Sequence, residues 1–282
     1  MEQFDEQLYP EWAQSFKVEE VLFEHRTEHQ HLVIFRNKRF GRVMALDGII
    51  QTTEADEFVY HEMLAHVPLF AHGSAERVLI IGGGDGGLLR EVVKHPEVHH
   101  ITQVEIDAKV VEMAQELLPN HSQGAFDDPR LELVIQDGVD FVQSCTETFD
   151  VILSDSTDPV GPGEVLFTSP FYSGCKRLLG DSGVLATQNG VPYLQLDEVR
   201  TTYQRLTPLF RDVHFYGASV PTYVGGIMAF GWASENPEYR RQPESVLRRR
   251  LEAAKVRTRF YTPELHYGSF ALPQYILESF QS

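Results

Sequence analysis

Apolar runs of strand length alternate with helical segments through the middle of this 282-residue chain, and each run ends in glycine or aspartate. The runs are RVLIIGGG, ITQVEID, LELVIQDG and FDVILSD, which begin at residues 77, 101, 131 and 149. Helical candidates begin between them, near Gly86, Ala108 and Gly138. Such alternation predicts a parallel sheet with helices on both faces. Ligands bind these sheets at the carboxyl ends of the strands, where the glycines and aspartates accumulate.

Three further strand candidates complete this sheet. They are VLATQNG (184–190), DVHFYGAS (212–219) and GGIMAFGWAS (225–234). The last two follow each other too closely for a crossover helix, which predicts that they pair antiparallel. A parallel sheet that ends in an antiparallel strand is typical of class I methyltransferase-like folds. We therefore expect an α/β fold with a Rossmann-like, seven-stranded sheet.

The N-terminal part of the chain has a different rhythm. From Phe16 to about Gln51, apolar residues recur with a period of two. This pattern predicts short antiparallel strands with tight turns at residues 36–38 and 47–48. We expect a small β-strand domain over 1–54 and a Rossmann-like catalytic domain over 55–282. Because a unit of roughly 50 residues is marginal alone, it should pack on the larger domain or on a partner subunit.

Two helical segments flank the predicted catalytic sheet. The stretch from about Ala55 to Phe70 has apolar residues at helical spacing, and Pro68 predicts its end. The basic segment that follows Asn236 is predicted to be helical, with a solvated face.

The composition restricts the partners and the compartment. A net charge of -17 argues against nucleic acid and against an anionic membrane, and it suits a cationic substrate. Acidity that serves only solubility is the alternative. Cys145 and Cys175 form no C-x-x-C pair, and no apolar run approaches the ~18 residues of a membrane span. With an N-terminus unlike a signal peptide, these features predict a soluble, cytoplasmic protein.

The loop IIGGGDGGLLREV (80–92) contains the pattern G-x-G-x-x-G in Gly82, Gly84 and Gly87. Glu105 follows at the end of the next strand, about 20 residues downstream. Glycines here let the backbone approach a ligand closely, and an acidic residue at that strand end accepts hydrogen bonds from ribose hydroxyls. Both NAD and S-adenosyl compounds fit these features.

Asp85, in the middle of this loop, separates the two ligands. Its carboxylate would repel the pyrophosphate of NAD and the carboxylate of S-adenosylmethionine, but it would attract an ammonium group. The nucleoside that fits is decarboxylated S-adenosylmethionine, whose tail ends in an amine. The alternative is that Asp85 simply caps the following helix.

Two more strand ends carry acidic residues. The Asp137 carboxylate can accept the adenine amino group while the Gly138 amide faces a ring nitrogen; a plain helix cap is the alternative. Asp155 and Asp158 lie three residues apart and suggest a cation site, with a metal or ordinary turn residues as alternatives. The prolines and glycines from 159 to 163 predict a shaped loop rather than a helix.

Together these motifs resemble the spermidine synthase (polyamine aminopropyltransferase) family, and its bacterial members in particular. The resemblance covers almost the whole chain and rests on DEFVYHEML, LIIGGGDGG, VEID, QDG, DSTDPVGP and PTYVGG. It implies that one group of residues contacts methylthioadenosine: Gln30, Glu105, Asp137, Gly138 and Pro162. It implies that Asp85 holds the aminopropyl ammonium and that Asp155 accepts the proton. It also implies an acceptor site lined by His61, Tyr60, Asp158, Gln188 and Tyr223.

The reaction implied by the resemblance is transfer of the aminopropyl group of decarboxylated S-adenosylmethionine to putrescine, which yields spermidine and methylthioadenosine. The nucleoside is a co-substrate, and no metal or other cofactor is expected. HEMLAH has one residue too many for a zinc-binding helix motif, so metal at His61 is not expected. The alternatives are a polyamine N-methyltransferase that uses S-adenosylmethionine and a non-catalytic polyamine-binding protein. The acceptor's length stays open, and a homodimer or homotetramer is expected.

Overall fold

The computed structural model describes residues 1–6, 8–9, 11–158 and 161–281, without the side chains of Gly161 and Pro162. The strands are β1 (Gln3–Asp5), β2 (Ser15–Lys17), β3 (Glu20–Arg26), β4 (His31–Asn37), β5 (Gly41–Leu46), β6 (Ile49–Thr53), β7 (Arg77–Gly82), β8 (His100–Glu105), β9 (Leu131–Ile135), β10 (Val151–Asp155), β11 (Val184–Gln188), β12 (Asp212–Ala218) and β13 (Met228–Ser234). The helices are α1 (Glu57–His72), α2 (Gly87–Val93), α3 (Ala108–Leu117), α4 (Pro119–Ser122), α5 (Gly138–Ser144), α6 (Ser169–Leu179), α7 (Pro192–Leu206), α8 (Pro237–Arg240), α9 (Glu244–Ala254), α10 (Pro263–Ser269) and α11 (Gln274–Ser279).

The large sheet has seven strands in the order β12-β13-β11-β10-β7-β8-β9. Strand β13 pairs antiparallel with both β11 and β12, and the other pairs are parallel. The predicted fold class and the predicted antiparallel final pair are therefore confirmed. The register aligns Asp155 with Gly82, so the ends of β10 and β7 meet at one edge of the sheet.

The central strands are buried on both faces, which explains their unbroken apolar sequences. The β7 residues Val78, Leu79 and Ile80 are fully buried. Val78 and Ile80 pack in one core with α1 and α2, whereas Leu79 packs in a second core with α6. A rigid, two-sided core of this kind holds the strand ends in fixed positions beneath the ligand cleft.

Helix α1 does not end where Pro68 predicts. It continues through the proline to His72 and ends at Gly73, whose φ of 79° and N–H bond to Leu69 O close the last turn. Every residue of α1 except Phe58 is buried. Burial of the whole helix outweighs the one backbone hydrogen bond that a proline removes, so the prediction of its end was wrong.

The small sheet joins β3, β4, β5 and β6 antiparallel, in chain order. One face encloses Val33, Phe35 and Val43 with Phe4 and Phe16. The other face packs on α3 of the large unit, in a cluster that includes Leu32, Ile34, Val110 and Met113. The β-strand unit therefore packs on the larger domain through a continuous apolar core.

Two other predictions need correction. The predicted strand beginning at Phe16 is divided into β2, which pairs with β1, and β3. The segment after Asn236 is not simply a solvated face, because Leu247 and Tyr261 are buried against α1. Arg250 donates to the carbonyl oxygens of residues 70 and 71 at the end of α1.

In the described part of the chain, no helix is long and apolar enough to cross a membrane.

Candidate active site

A single cleft lies above the carboxyl ends of the parallel strands, between the two sheets. It brings together the residues that sequence motifs and family resemblance single out: Gln30, Tyr60, His61, Gly82, Gly84, Asp85, Glu105, Asp137, Gly138, Asp155, Asp158, Gln188 and Tyr223. Pro162 is the second residue of a short 3-10 helix, Gly161–Phe167, but its side chain lies outside what the structure describes. The loop predicted from 159 to 163 lies partly outside the described residues, and residues 161–163 belong to this 3-10 helix instead.

The glycine loop passes beneath the cleft in a conformation that only glycine adopts easily. Gly82 and Gly83 have φ values of 85° and 68°. A Cβ at Gly82 would lie 2.1 Å from Asp155 O, and one at Gly84 would lie 2.9 Å from Glu105 Oε2. Gln103, which the sequence analysis missed, donates from Nε2 to Gly82 O and Gly83 O at 3.0 and 2.8 Å. These contacts hold the loop backbone flat against the strand ends.

The end of the cleft beside the glycine loop contains two acidic side chains, Glu105 and Asp137. Burial raises the pKa of Glu105 to about 7, although backbone amides, including that of Asp107, stabilise its charge. Asp137 caps α5, and Oδ1 accepts both hydrogen bonds, from Val139 N and Asp140 N. The cap interpretation is therefore confirmed, and it leaves Oδ2 uninvolved in the cap. Gln30 reaches across from the small sheet, donating to Asp107 Oδ2 at 3.2 Å.

Asp85 lies between the glycine loop and α1. Its Oδ1 accepts a hydrogen bond from Gly87 N at 2.8 Å, so Asp85 does stabilise the start of α2. Its Oδ2 lies 3.5 Å from His61 Nε2. His61 belongs to α1 and is only 3% exposed. Capping uses one carboxylate oxygen, and the other faces the imidazole beside the cleft.

Asp155 lies at the end of β10, where the Tyr60 hydroxyl donates to Oδ1 at 2.6 Å. Burial raises the pKa of Asp155 to about 6, with a further upward contribution from Asp85. The positive charge of His61 and the hydrogen bond from Tyr60 act in the opposite direction. A carboxylate with a pKa near 6 is ionised at neutral pH yet is a stronger base than an ordinary aspartate.

The opposite end of the cleft is acidic, and most of it was missed by the sequence analysis. Asp158 accepts from Gln195 Nε2 at 2.7 Å, and the Tyr9 hydroxyl donates to Gln195 Oε1 at 3.0 Å. Glu6 also borders the cleft, and Glu198 lies behind Gln195. Burial raises the pKa of Glu6, Asp158 and Glu198, that of Glu198 to about 8. Only the chain's overall acidity hinted at this cluster, since its members share no motif.

Aromatic and amide side chains form the wall between these two ends. Tyr60 and Tyr223 pack edge to face with ring centroids 5.9 Å apart, and the Tyr223 hydroxyl donates to Gln51 O. Asp56 fixes the segment before Tyr223 by accepting from Thr222 N and Oγ1 at 2.8 and 2.7 Å. Gln188 is buried, and its Oε1 has no hydrogen-bond partner among the described residues. An unpaired buried acceptor of this kind suits a ligand that donates hydrogen bonds.

A Rossmann-like sheet with a glycine loop at its strand ends is an arrangement that binds nucleosides and nucleotides, and here an acidic region adjoins it. Residues 57–243 match the spermine/spermidine synthase domain, and residues 2–54 match the spermidine synthase tetramerisation domain. The chain belongs to the spermine/spermidine synthase family and is an enzyme, an aminopropyltransferase.

Similar proteins agree with this assignment over the full length. A polyamine aminopropyltransferase of Pseudomonas syringae pv. tomato and polyamine aminopropyltransferase 1 of Pseudomonas aeruginosa are each 61% identical over 279 residues, which is 99% of this chain and 98% of theirs. A crystal structure of spermidine synthase in complex with the transition state analogue AdoDATO has a TM-score of 0.93 and 37% identity. Spermidine synthase from Thermotoga maritima has a TM-score of 0.90 and 36% identity. Both structural matches cover 99% of this chain and 94% of the other.

Proposed function

We propose that this enzyme transfers the aminopropyl group of decarboxylated S-adenosylmethionine to putrescine, with spermidine and methylthioadenosine as products. The observation that carries the proposal is the position of Asp155, which lies between Tyr60 and the glycine loop in one cleft with Asp85. One end of that cleft suits a nucleoside and the other suits an amine. The spermidine synthase crystallised with AdoDATO supports the same assignment.

The nucleoside would occupy the end formed by the glycine loop. Gly82 and Gly84 let its ribose and sulfonium approach the backbone, with Glu105 on the ribose hydroxyls. Asp137 and the Gly138 amide would hold the adenine, and Gln30 and Pro162 would complete the pocket. Asp85 Oδ2 would hold the ammonium of the aminopropyl tail.

The acceptor diamine would extend from Asp155 towards the acidic end. Asp158 would attract its far ammonium group, with the amide of Gln188 as a further partner. His61, Tyr60 and Tyr223 would line the middle of the site. Aromatic walls suit the methylene chain of a diamine, and their faces also attract cations.

The difficult step is loss of a proton by the attacking amine. An alkyl ammonium has a pKa of about 10, and transfer to an ordinary aspartate is uphill by about 8 kcal/mol. Because the pKa of Asp155 is raised to about 6, the difference between the pKa of the amine and that of the carboxylate narrows to about 4 units, or roughly 5 kcal/mol. Desolvation of the amine in the cleft narrows it further. The leaving thioether is neutral, so we propose that the reaction needs neither a general acid nor a metal.

Positioning would supply much of the remaining rate enhancement. The amine nitrogen must meet the aminopropyl carbon in line with its bond to sulfur. Holding two reactants in such an arrangement can contribute on the order of 7 to 11 kcal/mol. Asp155 and Asp85 hold cationic groups of the two substrates, and together they would fix this alignment.

The decisive experiment replaces Asp155 with Asn. We expect turnover to fall by roughly 100-fold or more, because an amide cannot accept the proton. Methylthioadenosine binding by calorimetry should stay within a few-fold. Asp140→Asn is the matched control, since Asp140 is exposed on the nearby helix α5. Unchanged turnover of Asp155→Asn would remove Asp155 from the chemistry.

The product's mass tests the reaction class. Incubation of wild-type enzyme with putrescine and each nucleoside separates aminopropyl from methyl transfer. A methylated product formed from S-adenosylmethionine would support the N-methyltransferase instead. Competition among putrescine, cadaverine, agmatine and spermidine would identify the preferred acceptor.

We further propose a homodimer or homotetramer that works in the cytoplasm. The match of residues 2–54 to a tetramerisation domain supports assembly. Two free thiols, at Cys145 and Cys175, support a reducing compartment. A mass in solution equal to one chain would contradict the assembly.

A further inference from the structure

A row of buried ionisable side chains leads from the cleft into the protein between α1 and α2. Its members are Asp85, His61, Glu57, Arg90, Glu91 and His66, each at most 7% exposed. Only Asp85 and His61 of this row border the cleft. Buried charges cost several kcal/mol each unless they are paired and hydrogen-bonded. Burial of this row would therefore be destabilising without such pairing. The contacts of each member show which side chain it holds in place.

The imidazole of His61 is fixed from two sides. Nδ1 lies 2.7 Å from Glu57 Oε2, and Nε2 lies 3.5 Å from Asp85 Oδ2. The ring also packs on the glycine loop so closely that a Cβ at Gly87 would lie 2.3 Å from it. Tyr60 packs edge to face on the ring, with centroids 5.3 Å apart. The ring can therefore neither rotate nor slide without displacing Asp85 or the loop.

Glu57 is itself held by a two-pronged ion pair. Arg90 donates from Nη1 to Glu57 Oε1 at 3.0 Å and from Nη2 to Glu57 Oε2 at 2.8 Å. Arg90 donates further to Asn120 O and His121 O, and from Nε to Glu91 Oε1 at 2.7 Å. Such a fork fixes the direction of a carboxylate as well as its charge. Behind it, His66 Nε2 lies 2.9 Å from Glu91 Oε2.

We propose that Glu57 and Arg90 are positioning residues for aminopropyl transfer, which act by fixing the orientation and the charge of His61 beside Asp85 and Asp155. Neither residue borders the cleft, so neither touches a substrate. A carboxylate that orients the far nitrogen of a functional histidine is a recurrent arrangement in enzymes. Here it is reinforced by an arginine that is fully enclosed in protein.

The charges follow from these contacts. Burial raises the pKa of Glu57, whereas the hydrogen bonds and charges of His61 and Arg90 lower it. The lowering contributions outweigh burial, and the pKa of Glu57 is about 2. Burial opposes the charge on His61, but Asp85 and Glu57 outweigh it and raise the pKa of His61 to about 9. Asp155 adds to that rise. Two other ionisable groups lie beside the ring, and burial lowers the pKa of His121 and raises that of Tyr60 well above its ordinary value, so neither form favoured by burial carries a charge. A positive His61 in turn lowers the pKa of Asp155.

Loss of the Glu57 charge should therefore raise the pKa of Asp155. Without Glu57, His61 is less often protonated, and a less positive His61 lets Asp155 keep its proton to higher pH. The acid limb of kcat should move to higher pH in Glu57→Gln. We expect kcat at pH 7 to fall by roughly 10- to 100-fold, the range found when orienting partners of metal-binding histidines are removed. The KM for decarboxylated S-adenosylmethionine should change much less, because Asp85 keeps its bond to Gly87.

The test combines histidine NMR with kinetics on the full-length protein. The His61 resonances are assigned by their loss in His61→Gln, and their titration is compared between wild type and Glu57→Gln. We expect the midpoint to fall by more than one pH unit. Arg90→Lys, which keeps the charge but loses the fork, should give a smaller change in the same direction, and it serves if Glu57→Gln does not fold. The matched control is Arg240→Gln, which breaks a similar fork on Asp212 outside the cleft and should leave the His61 titration unchanged.

An unchanged His61 midpoint in both Glu57→Gln and Arg90→Lys overturns the inference, whatever the turnover. An equal shift in Arg240→Gln overturns it too, since the effect would then follow from general destabilisation. The interpretation of the turnover measurement rests on the proposed function, but that of the NMR titration of His61 does not. If wild-type enzyme transfers no aminopropyl group, the proposed function fails while the titration still decides the roles of Glu57 and Arg90.

Discussion

The two ends of the cleft are built in different ways. At the proposed nucleoside end, Gly82 and Glu105 are the last residues of two parallel strands and Asp137 follows a third by two residues, so the sheet itself sets their positions. At the acceptor end, Glu6 and Tyr9 come from the start of the chain and Gln195 from α7. The nucleoside end is therefore a property of the backbone, and the acceptor end is a set of side chains from separate segments. A substitution that moves the backbone of the first end should disturb the whole site, whereas a change to a single side chain should affect the binding of one substrate only.

The largest effect is expected at the glycine loop. Gly82→Ala adds a Cβ 2.1 Å from Asp155 O at a φ of 85°. Because a shift of about 1 Å in a site can cost 100-fold, turnover should fall by roughly that factor, and methylthioadenosine should bind more weakly. Gly124→Ala is the control, since it shares the positive φ but meets nothing within 4 Å. It should cost only about 1 to 2 kcal/mol of stability. Equal losses of turnover in the two variants would refute the steric argument.

Asp85→Asn should have the next largest effect, confined to the charged tail. The amide oxygen can still accept from Gly87 N, so the start of α2 is preserved. We expect decarboxylated S-adenosylmethionine to bind roughly 10- to 100-fold more weakly, from the loss of one charge-assisted hydrogen bond. Methylthioadenosine lacks the amine and should bind as before. Calorimetry with both nucleosides checks this, and parallel losses would contradict it.

Gln195→Ala tests the independence of the acceptor end. The change removes a donor to Asp158, and since that bond lowers the pKa of Asp158, its charge is weakened as well. The KM for putrescine should rise by roughly 3- to 10-fold. Methylthioadenosine affinity should not change. Asp197→Ala, whose side chain is 86% exposed on the same helix, is the control. A matching loss of nucleoside affinity would mean that the two ends are not independent.

The smallest effect is expected from a change beside Asp155, which lies between the two ends of the cleft. Its carboxylate must be ionised to accept a proton, so kcat/KM for the amine should fall below about pH 6. Tyr60→Phe removes a hydrogen bond that lowers this pKa, so the acid limb should move up by roughly one pH unit. At pH 7 that amounts to about a twofold loss. An acid limb that stays in place would show that Tyr60 does not stabilise the charged form.

The same difference explains what could be predicted from the sequence. A strand end marks its ligand residues by short-range pattern, so Gly82, Asp85 and Asp155 were found together with the parallel sheet and its antiparallel final pair. Gln195 and Glu6 are brought together only by tertiary packing, and no local spacing predicts that. The predicted end of α1 at Pro68 was wrong for a related reason. Burial of α1 on all sides outweighs the local conformational preference of one residue. Gln103 was missed since it lies in the middle of an apolar strand, where a polar side chain carries no motif.

The seam between the two sheets has a consequence for protein engineering. Gln30 with Asp107 and Thr52 with His121 are hydrogen-bonded across that seam, and neither pair includes a residue of the leading segment that holds Glu6 and Tyr9. Exchange of that leading segment between relatives should therefore leave the strand ends intact, provided that Phe4, which packs in the core of the small sheet, is kept. Libraries limited to the first residues of the chain and to α7 offer a route to new amine acceptors on an unchanged nucleoside platform.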